Sequence, residues 1–215
     1  MTAPHSPGLT DNPQLSLRER KKIKTRTAIR SAMYALVEEQ GYDATTIEQI
    51  AERAEVSPST VFRYFPTKED IVLTDELDPI LLAELLKRPA DEPWVVSLRY
   101  IMRLAVGLGT SDEERRATKM RSRLLAGVPA VRSRMLETMS VTGRLLADAI
   151  AERTGLERDG LEARVYTMAI IGGLSEVTIY WAETDFRDDL LDLVDRALDV
   201  LENGLPRREE TPRTP

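Results

Sequence analysis

The sequence of 215 residues predicts an all-α protein with a small N-terminal helix-turn-helix domain and a larger C-terminal helical domain. Apolar residues recur at helical spacing in one stretch after another. Pro79, Pro93 and Pro129 each stand where a helix can begin, because the N–H that proline lacks would have no partner in a first turn. No stretch alternates apolar and polar residues as a strand does, so no sheet is predicted.

The first predicted helix is basic and precedes two short helices. Its apolar stripe consists of Ile29, Ala32, Met33, Leu36 and Val37. The helix is predicted to end at Gly41, which suits a left-handed cap. Thr45 and Glu48 have the spacing of a capping box and predict the start of the second helix. Ser57 and Pro58 then predict an N-cap and a first-turn proline for the third helix. Two such short helices joined by a tight turn are typical of a helix-turn-helix.

The third helix is predicted to have two different faces. Val61 and Phe65 are apolar and four residues apart, so we expect them to pack inward with Tyr64 beside them. The opposite side then carries Ser59, Phe62 and Arg63. An arginine can bond guanine edges in the major groove, and an aromatic edge can contact a thymine methyl. This face therefore fits a DNA-recognition helix, although a surface helix with an incidental arginine is the alternative.

The charge distribution favours DNA binding. The chain has 30 basic and 36 acidic residues, but residues 16–30 hold seven basic residues against one acidic residue, Glu19. The basic residues are Arg18, Arg20, Lys21, Lys22, Lys24, Arg26 and Arg30. A basic run is often only a solvated face, yet this one adjoins the helix-turn-helix. We therefore expect it to contact the phosphate backbone.

Residues from about Arg18 to Leu73 resemble the DNA-binding domain of the tetracycline-repressor (TetR/AcrR) family of bacterial transcription regulators. The resemblance extends without gaps over about a quarter of the chain. It rests on Gly41-Tyr42, Thr45-Thr46-Ile47, Ile50-Ala51, Ala54, Val56-Ser57, Thr60, Phe62, Tyr64-Phe65 and Lys68-Glu69. The family often has glycine at the position of Ser59 and tyrosine at the position of Phe62, and the missing tyrosine hydroxyl removes one possible phosphate or base contact.

The resemblance implies a role for each matching residue. Ser59, Phe62 and Arg63 would contact bases. Tyr64 and Lys68 would contact phosphates. Ser57 and Thr60 would lie near the DNA backbone. A threonine that the family often uses for phosphate falls on Ile47, so Thr46 would be a weaker substitute. The resemblance also implies a twofold dimer on a palindromic operator, an apolar effector pocket and, most often, repression of transcription.

Further helices are predicted for the rest of the chain. A helix that follows Lys68 is interrupted or restarted at Asp78–Pro79 and continues over residues 81–88. The remaining predicted helices cover residues 93–109, 111–126, 129–155, 159–184 and 188–203. We expect a disordered leader at residues 1–16, a DNA-binding domain at 17–66, an effector-binding and dimerisation domain at 67–205 and a disordered tail at 206–215.

The last two helices are the predicted dimer interface. Paired glycines inside a helix need a packing reason, since each costs about 1 kcal/mol relative to alanine. The last helix is apolar over more than half of its circumference, which suits contact with a partner as well as with its own domain. A thick monomeric core is the alternative. The candidate interface residues are Gly172, Gly173, Val177, Tyr180, Leu190, Val194 and Leu198.

A methionine-rich middle region is the predicted effector site. Methionine adapts to irregular cavities but also fills ordinary cores, and both interpretations stay open for each residue. The candidates are Trp94, Leu98, Met102, Met120, Leu124, Met135, Met139 and Tyr166. The resemblance of the helix pattern to members of the family favours an acyl or other lipophilic ligand. Four arginines could meet an anionic head group or face water: Arg99, Arg103, Arg121 and Arg123.

Several classes of protein are disfavoured. The chain has no cysteine, and its single histidine, His5, lies in the leader, so neither a thiolate metal site nor a histidine base is available. The segment with Gly107 and Gly109 lacks the third glycine that a dinucleotide-binding loop requires. We therefore expect no enzyme, metal or cofactor. No secretory signal or membrane span is apparent, so a cytoplasmic protein is expected. A helical ligand carrier or scaffold, and a non-specific DNA-binding protein, remain alternatives.

Overall fold

The computed structural model describes residues 16–74, 78–108, 111–157 and 159–205. Within these ranges the chain is built from α-helices without a strand, which confirms the predicted all-α class. The predicted leader, apart from Ser16, and the predicted tail lie outside the described residues. The helices are α1 Leu17–Gln40, α2 Ile47–Arg53, α3 Pro58–Tyr64, α4 Lys68–Leu73, α5 Asp78–Leu86, α6 Trp94–Leu108, α7 Asp112–Gly127, α8 Pro129–Thr154, α9 Leu161–Glu183 and α10 Leu190–Asn203.

Local signals place most helix ends where the sequence predicts them. Gly41 ends α1 with a φ of 84°, a backbone conformation that costs glycine little. Ser57 caps α3 and Pro58 is its first residue. Pro129 begins α8, and Gly155 ends it in the left-handed conformation. The prediction of a break before Asp78 is confirmed, because α4 ends at Leu73 and α5 begins at Asp78.

The predicted cap of α2 is wrong by one residue. Thr46, rather than Thr45, is the N-cap, and its capping box is completed by Gln49 instead of Glu48. The reason lies in the preceding turn. The Thr45 hydroxyl is buried and donates to the carbonyl oxygen of Gly41 at 2.8 Å, so it is not available to the helix.

The core of the N-terminal helices extends beyond the predicted domain boundary. Its fully buried members on α1–α3 include Ile29, Ile50, Val61 and the adjoining Phe65. The same cluster contains residues of α4, α7 and α8: Ile71, Val72, Met120, Leu124, Leu125 and Val131. Burying each such side chain contributes about 1.5–3 kcal/mol. The N-terminal helices are therefore stabilised in part by the C-terminal half of the chain.

A second apolar cluster lies among α5, α6, α8, α9 and α10. Its buried members include Leu85, Leu98, Ile101, Ile150, Ile170, Leu193 and Leu198. Helix α9 packs against α7, α8 and α10, and so occupies the centre of the C-terminal half. In the described part of the chain, none of the helices is long and apolar enough to cross a membrane.

Candidate functional site

Helix α3 presents the face that the sequence predicts. Val61 is fully buried, as is Phe65 at the C-cap of the helix, and together they anchor its inner side. On the outer side Ser59 and Arg63 are exposed, and the Phe62 ring is 51% exposed. The exposed face thus combines a hydroxyl, an aromatic ring and a guanidinium group. The outer face therefore has the chemistry needed to contact base edges.

The N-terminal turn of α3 is held by one hydroxyl. Ser57 Oγ accepts the Thr60 N–H at 3.1 Å and also lies within hydrogen-bond distance of two neighbouring hydroxyls, Ser59 Oγ at 2.8 Å and Thr60 Oγ1 at 2.9 Å. This arrangement fixes the rotamers of all three residues relative to the helix axis. Ser57 and Thr60 thus position the turn, and their predicted proximity to the DNA backbone stays a prediction.

Arg26 fixes the other end of α3 against α1. Its Nη1 donates to the carbonyl oxygen of Tyr64 at 3.3 Å, and its guanidinium lies 4.4 Å from the centre of the Phe65 ring. Tyr64 is half-buried, with the Arg63 guanidinium 5.3 Å from its ring. The predicted phosphate role of Tyr64 is consistent with its partial exposure but stays a prediction.

Lys68 contacts the turn between α1 and α2, and its predicted phosphate role stays a prediction. Its ammonium donates to the carbonyl oxygens of Tyr42 at 2.9 Å and Thr45 at 3.0 Å, and it lies 4.0 Å from the Tyr42 ring. Two of its three N–H groups are therefore directed at the turn between α1 and α2 instead of at solvent. The Tyr42 hydroxyl in turn donates to Glu69 Oε1 at 2.8 Å, and burial, with this bond, raises the pKa of Tyr42. Lys68 mainly positions this turn.

The basic run on α1 contains both exposed residues and half-buried ones, the latter being Arg20, Arg26 and Arg30. Arg30 Nε donates to the carbonyl oxygen of Ile71 at 3.2 Å, and Arg30 also bonds the carbonyl of Thr74, so Arg30, like Arg26, links α1 to neighbouring helices. The exposed members, which can contact phosphates, are Arg18, Lys21, Lys22 and Lys24. Thr46 is also exposed, and its hydroxyl caps α2 by accepting the Gln49 N–H at 3.3 Å.

Two family models cover most of the folded chain. The model for bacterial regulatory proteins of the tetR family matches residues 29–74, which contain α2, α3 and α4. The model for the MftR C-terminal domain matches residues 93–206, more than half of the chain. The chain belongs to the TetR family of bacterial transcription regulators. This TetR-family regulator has a DNA-binding helix-turn-helix. Its homologues are transcription regulators and not enzymes, which confirms the prediction of a non-enzyme.

Individual relatives support the family assignment. The regulator is 34% identical over 167 residues to the HTH-type transcriptional regulator TcmR of Streptomyces glaucescens, a match that covers 76% of this chain and 65% of TcmR, just under two thirds of that relative. It is 23% identical over 181 residues to the fatty acid metabolism regulator protein of Bacillus subtilis, covering 81% of this chain and 92% of that protein. Its fold is similar to Thermus thermophilus FadR in complex with lauroyl-CoA, with a TM-score of 0.54, 24% identity and coverage of 86% of this chain and 97% of that chain.

The predicted effector residues of this TetR-family regulator do not form one group. Met120 and Leu124, with the partly buried Met135, belong to the cluster that supports the N-terminal helices. Trp94, Leu98, Met102 and Tyr166 belong to the second apolar cluster, and Met139 is buried on α8. Residues on the same helix can face different cores, and spacing along the sequence could not separate the two groups. The second cluster is the better candidate for an effector.

The arginines expected near an anionic head group are bound elsewhere. Arg99 Nη1 donates to Asp195 Oδ1 at 2.6 Å and its Nη2 bonds Asp199, which joins α6 to α10. Arg103 Nη2 donates to Asp195 Oδ2 at 3.0 Å. The Arg123 guanidinium lies beside the ring of Phe186, in the segment between α9 and α10. These contacts give Arg99 and Arg103 structural partners on α10, and a head-group role for the arginines stays a prediction.

The predicted dimer residues of the regulator divide between core and surface. Val177, Val194 and Leu198 are buried within the chain itself, Leu190 packs against the same core, and Gly173 faces Leu201 on α10. Only Gly172 and Tyr180 of the predicted set are exposed. The exposed side of α9 also carries three further apolar residues: Leu161, Val165 and Met168. The outer side of α10 is charged, because Asp192, Arg196, Asp199 and Glu202 are exposed there.

Helix α4 connects the helix-turn-helix to the C-terminal half. The carboxylate of Asp70 accepts two hydrogen bonds from Arg134 on α8, from Nε at 2.9 Å and from Nη2 at 3.2 Å. Arg121 Nη2 on α7 donates to the carbonyl oxygen of Leu73 at 3.1 Å. Burial acts to raise the pKa of Asp70, but the bonds from Arg134 and Thr67 outweigh it and hold that pKa below its ordinary value. These contacts join residues far apart in sequence, and the sequence analysis missed them.

Proposed function

We propose that this TetR-family regulator is a ligand-responsive repressor that binds a palindromic operator as a dimer. The observation that carries the proposal is the outer face of α3, where a half-exposed Phe62 stands beside exposed Ser59 and Arg63 on a rigidly anchored helix. Residues 17–66 would form the DNA-binding domain and residues 67–205 the effector-binding and dimerisation domain. A protein with this function would act in the cytoplasm, where the DNA lies.

The dimer would use the exposed side of α9. Val165, Met168 and Tyr180 leave apolar surface open there, and Gly172 allows a second helix to approach closely. The charged outer side of α10 is less suited to that contact. In a twofold dimer the two α3 helices would lie about 34 Å apart, one turn of the duplex, and would read two half-sites on one face of the DNA.

The effector would be a small lipophilic molecule bound in the second apolar cluster. Trp94, Leu98, Met102 and Tyr166 give this cluster the aromatic and flexible side chains that accommodate an alkyl chain. Two similar structures are complexes with acyl ligands: FadR of Thermus thermophilus with lauroyl-CoA and FadR of Bacillus subtilis with stearoyl-CoA. An acyl compound is therefore the first class to test.

The effector would act through α4. A ligand that separates α8 from α6 would move Arg134, and Asp70 would transmit the movement to α4 and so to the helix-turn-helix. Such a ligand changes DNA binding only by having unequal affinity for the two conformations. An almost complete switch requires a difference of about 5.5 kcal/mol.

Selection of bound sequences from random duplexes tests the DNA part of the proposal. We expect a palindromic site, a protected footprint and an affinity that decreases with salt. A carrier or scaffold would show no salt-dependent DNA binding, and a non-specific DNA-binding protein would bind without a footprint. Either result would contradict the proposal.

The Arg63→Ala variant tests the contact that carries the proposal. It should weaken operator binding by about 1–3 kcal/mol and relax the preference at one base position of each half-site. Arg196→Ala on the exposed side of α10 removes the same charge far from α3 and serves as the control, with unchanged binding. Equal weakening of Arg63→Ala on every duplex would mean that Arg63 contacts phosphate alone.

A further inference from the structure

Arg153, in the last turn of α8, closes the loop between α5 and α6. Its Nη2 donates to the carbonyl oxygens of Pro89 at 2.6 Å and Glu92 at 3.0 Å, and its Nη1 donates to Ser97 Oγ at 3.2 Å. The guanidinium carbon lies 4.7 Å from the centre of the Trp94 ring. Arg153 thus joins the loop, the start of α6 and the end of α8 at one point.

Two N–H groups of this cluster have no acceptor among the residues that the structure describes. They are Arg153 Nε and Trp94 Nε1, and both atoms are buried. A buried donor without an acceptor is unfavourable, and more so when it belongs to a cation. Two such donors in neighbouring, contacting side chains indicate an acceptor that the described residues do not supply.

The charges around the two donors favour an anionic acceptor. Arg153 donates to one hydroxyl and two carbonyl oxygens, all of them uncharged acceptors. The neighbouring carboxylate of Glu92 is paired with Arg88 and accepts the Ser97 hydroxyl at 2.6 Å. Two guanidinium groups therefore face one carboxylate. Hydrogen bonds from a cation to an anionic oxygen are about twice as strong as those between neutral groups.

The site lies at the edge of the apolar cluster proposed for the effector. The Trp94 ring is a buried member of that cluster, together with Leu85, Leu98 and Ile150. We propose that Trp94 Nε1 and Arg153 Nε bind an oxyanion, a carboxylate or a phosphate, at the polar end of an amphiphilic effector. This inference rests on the proposed function, in which a lipophilic effector occupies the C-terminal half. It adds that the effector carries an anionic head group.

Calorimetric titration of the full-length protein with matched probes tests the inference. Dodecanoate and dodecyl phosphate should each bind roughly tenfold or more tightly than 1-dodecanol, which has the same chain without the charge. Arg153→Met should remove this preference. Trp94→Phe keeps an aromatic ring but loses the N–H, and should reduce the preference. Arg144→Met, an exposed arginine on the same helix, is the matched control and should leave it unchanged.

Inorganic phosphate distinguishes a head group from a free anion. Binding of phosphate alone that depends on Arg153 would identify a free anion as the occupant of the same oxyanion site. Arg153 also holds the loop, so Arg153→Met could fail to fold. In that case Arg153→Lys and Trp94→Phe replace it in the test. Circular dichroism shows whether each variant is folded. Equal affinity of the wild type for dodecanoate and 1-dodecanol, or an unchanged preference in the variants, would overturn the inference and leave water as the acceptor.

Operator binding without any amphiphile separates this inference from the proposed function. A wild-type protein that binds its operator but shows no preference for the anionic probes would overturn the oxyanion site alone. A wild-type protein that binds no specific duplex would overturn the proposed function, regardless of its affinity for the amphiphiles.

Discussion

Replacing Asp70 with asparagine should destabilise the connection between α4 and α8 by roughly 2 kcal/mol. The Asp70 side chain is 8% exposed, and its two oxygens accept from Arg134 and from the backbone N–H of Thr67 at 3.1 Å. A hydrogen bond to a charged group contributes about 1.5–3 kcal/mol, more than a neutral one. Asparagine keeps one acceptor oxygen, so the loss should be close to one charged bond.

Thermal unfolding followed by circular dichroism measures this effect. For a chain of this size, roughly 2 kcal/mol corresponds to a decrease in Tm of about 4–8 °C. The pKa of Asp70 is depressed in the folded protein, so its contribution is present above the unfolded pKa and is lost as the pH falls through the folded pKa. The difference in Tm between the wild type and Asp70→Asn should therefore be largest at neutral pH, begin to decrease only below about pH 4, and become small once the pH lies below the folded pKa.

Two further variants show whether the partner is Arg134. Asp70→Asn combined with Arg134→Met should be little less stable than Asp70→Asn alone, because the pair is already broken. Glu137→Gln removes the other carboxylate bound to Arg134, an exposed one at 2.7 Å, and should leave the Tm nearly unchanged. An unchanged Tm in Asp70→Asn, or a Tm difference that does not depend on pH, would refute this account of the connection.

Three other changes have expected outcomes that follow from the fold. Glu55 has a φ of 54° in the turn of the helix-turn-helix, so Glu55→Gly should relieve about 1 kcal/mol of backbone strain and raise the Tm by about 2–4 °C; a lower Tm would contradict this. Lys68→Met should lower the Tm, because the carbonyls of Tyr42 and Thr45 lose a donor, while the salt dependence of operator binding changes little. A clearly shallower salt dependence would restore Lys68 to the phosphate contacts. Tyr180→Glu on the exposed side of α9 should shift the protein from dimer to monomer in analytical ultracentrifugation, and an unchanged dimer would exclude that side of α9 as the interface.

The sequence predicts those features that depend on a few neighbouring residues. Ser57, Pro58 and Gly155 determine helix ends through their own backbone and side-chain bonds, and the structure has these ends where they were predicted. The two faces of α3 follow from helical periodicity alone, and Val61 is buried while Phe62 is exposed as expected. Local chemistry is sufficient for such features because all the partners lie within one or two turns.

Long-range partners limit the prediction of the site. Lys68 carries the positive charge expected of a phosphate ligand. The carbonyls to which it donates are 26 and 23 residues away in the chain. Arg99 similarly finds its carboxylate 96 residues away. The thick apolar stripe of α10 suggested a partner chain, whereas α6 and α9 already cover much of it. Hydrophobic periodicity identifies a face to be buried, but it does not say which neighbour buries it.

The shared core beneath the first helices limits how this protein can be re-engineered. Exchanging the operator specificity of two regulators usually means grafting one N-terminal segment onto another body. A junction at residue 67 would divide one apolar cluster, with Phe65 and Val61 on one side and Leu124, Leu125 and Val131 on the other. Functional hybrids should therefore be obtained by transplanting only the outward residues of α3, or by carrying the matching surface of α7 and α8 along with the graft.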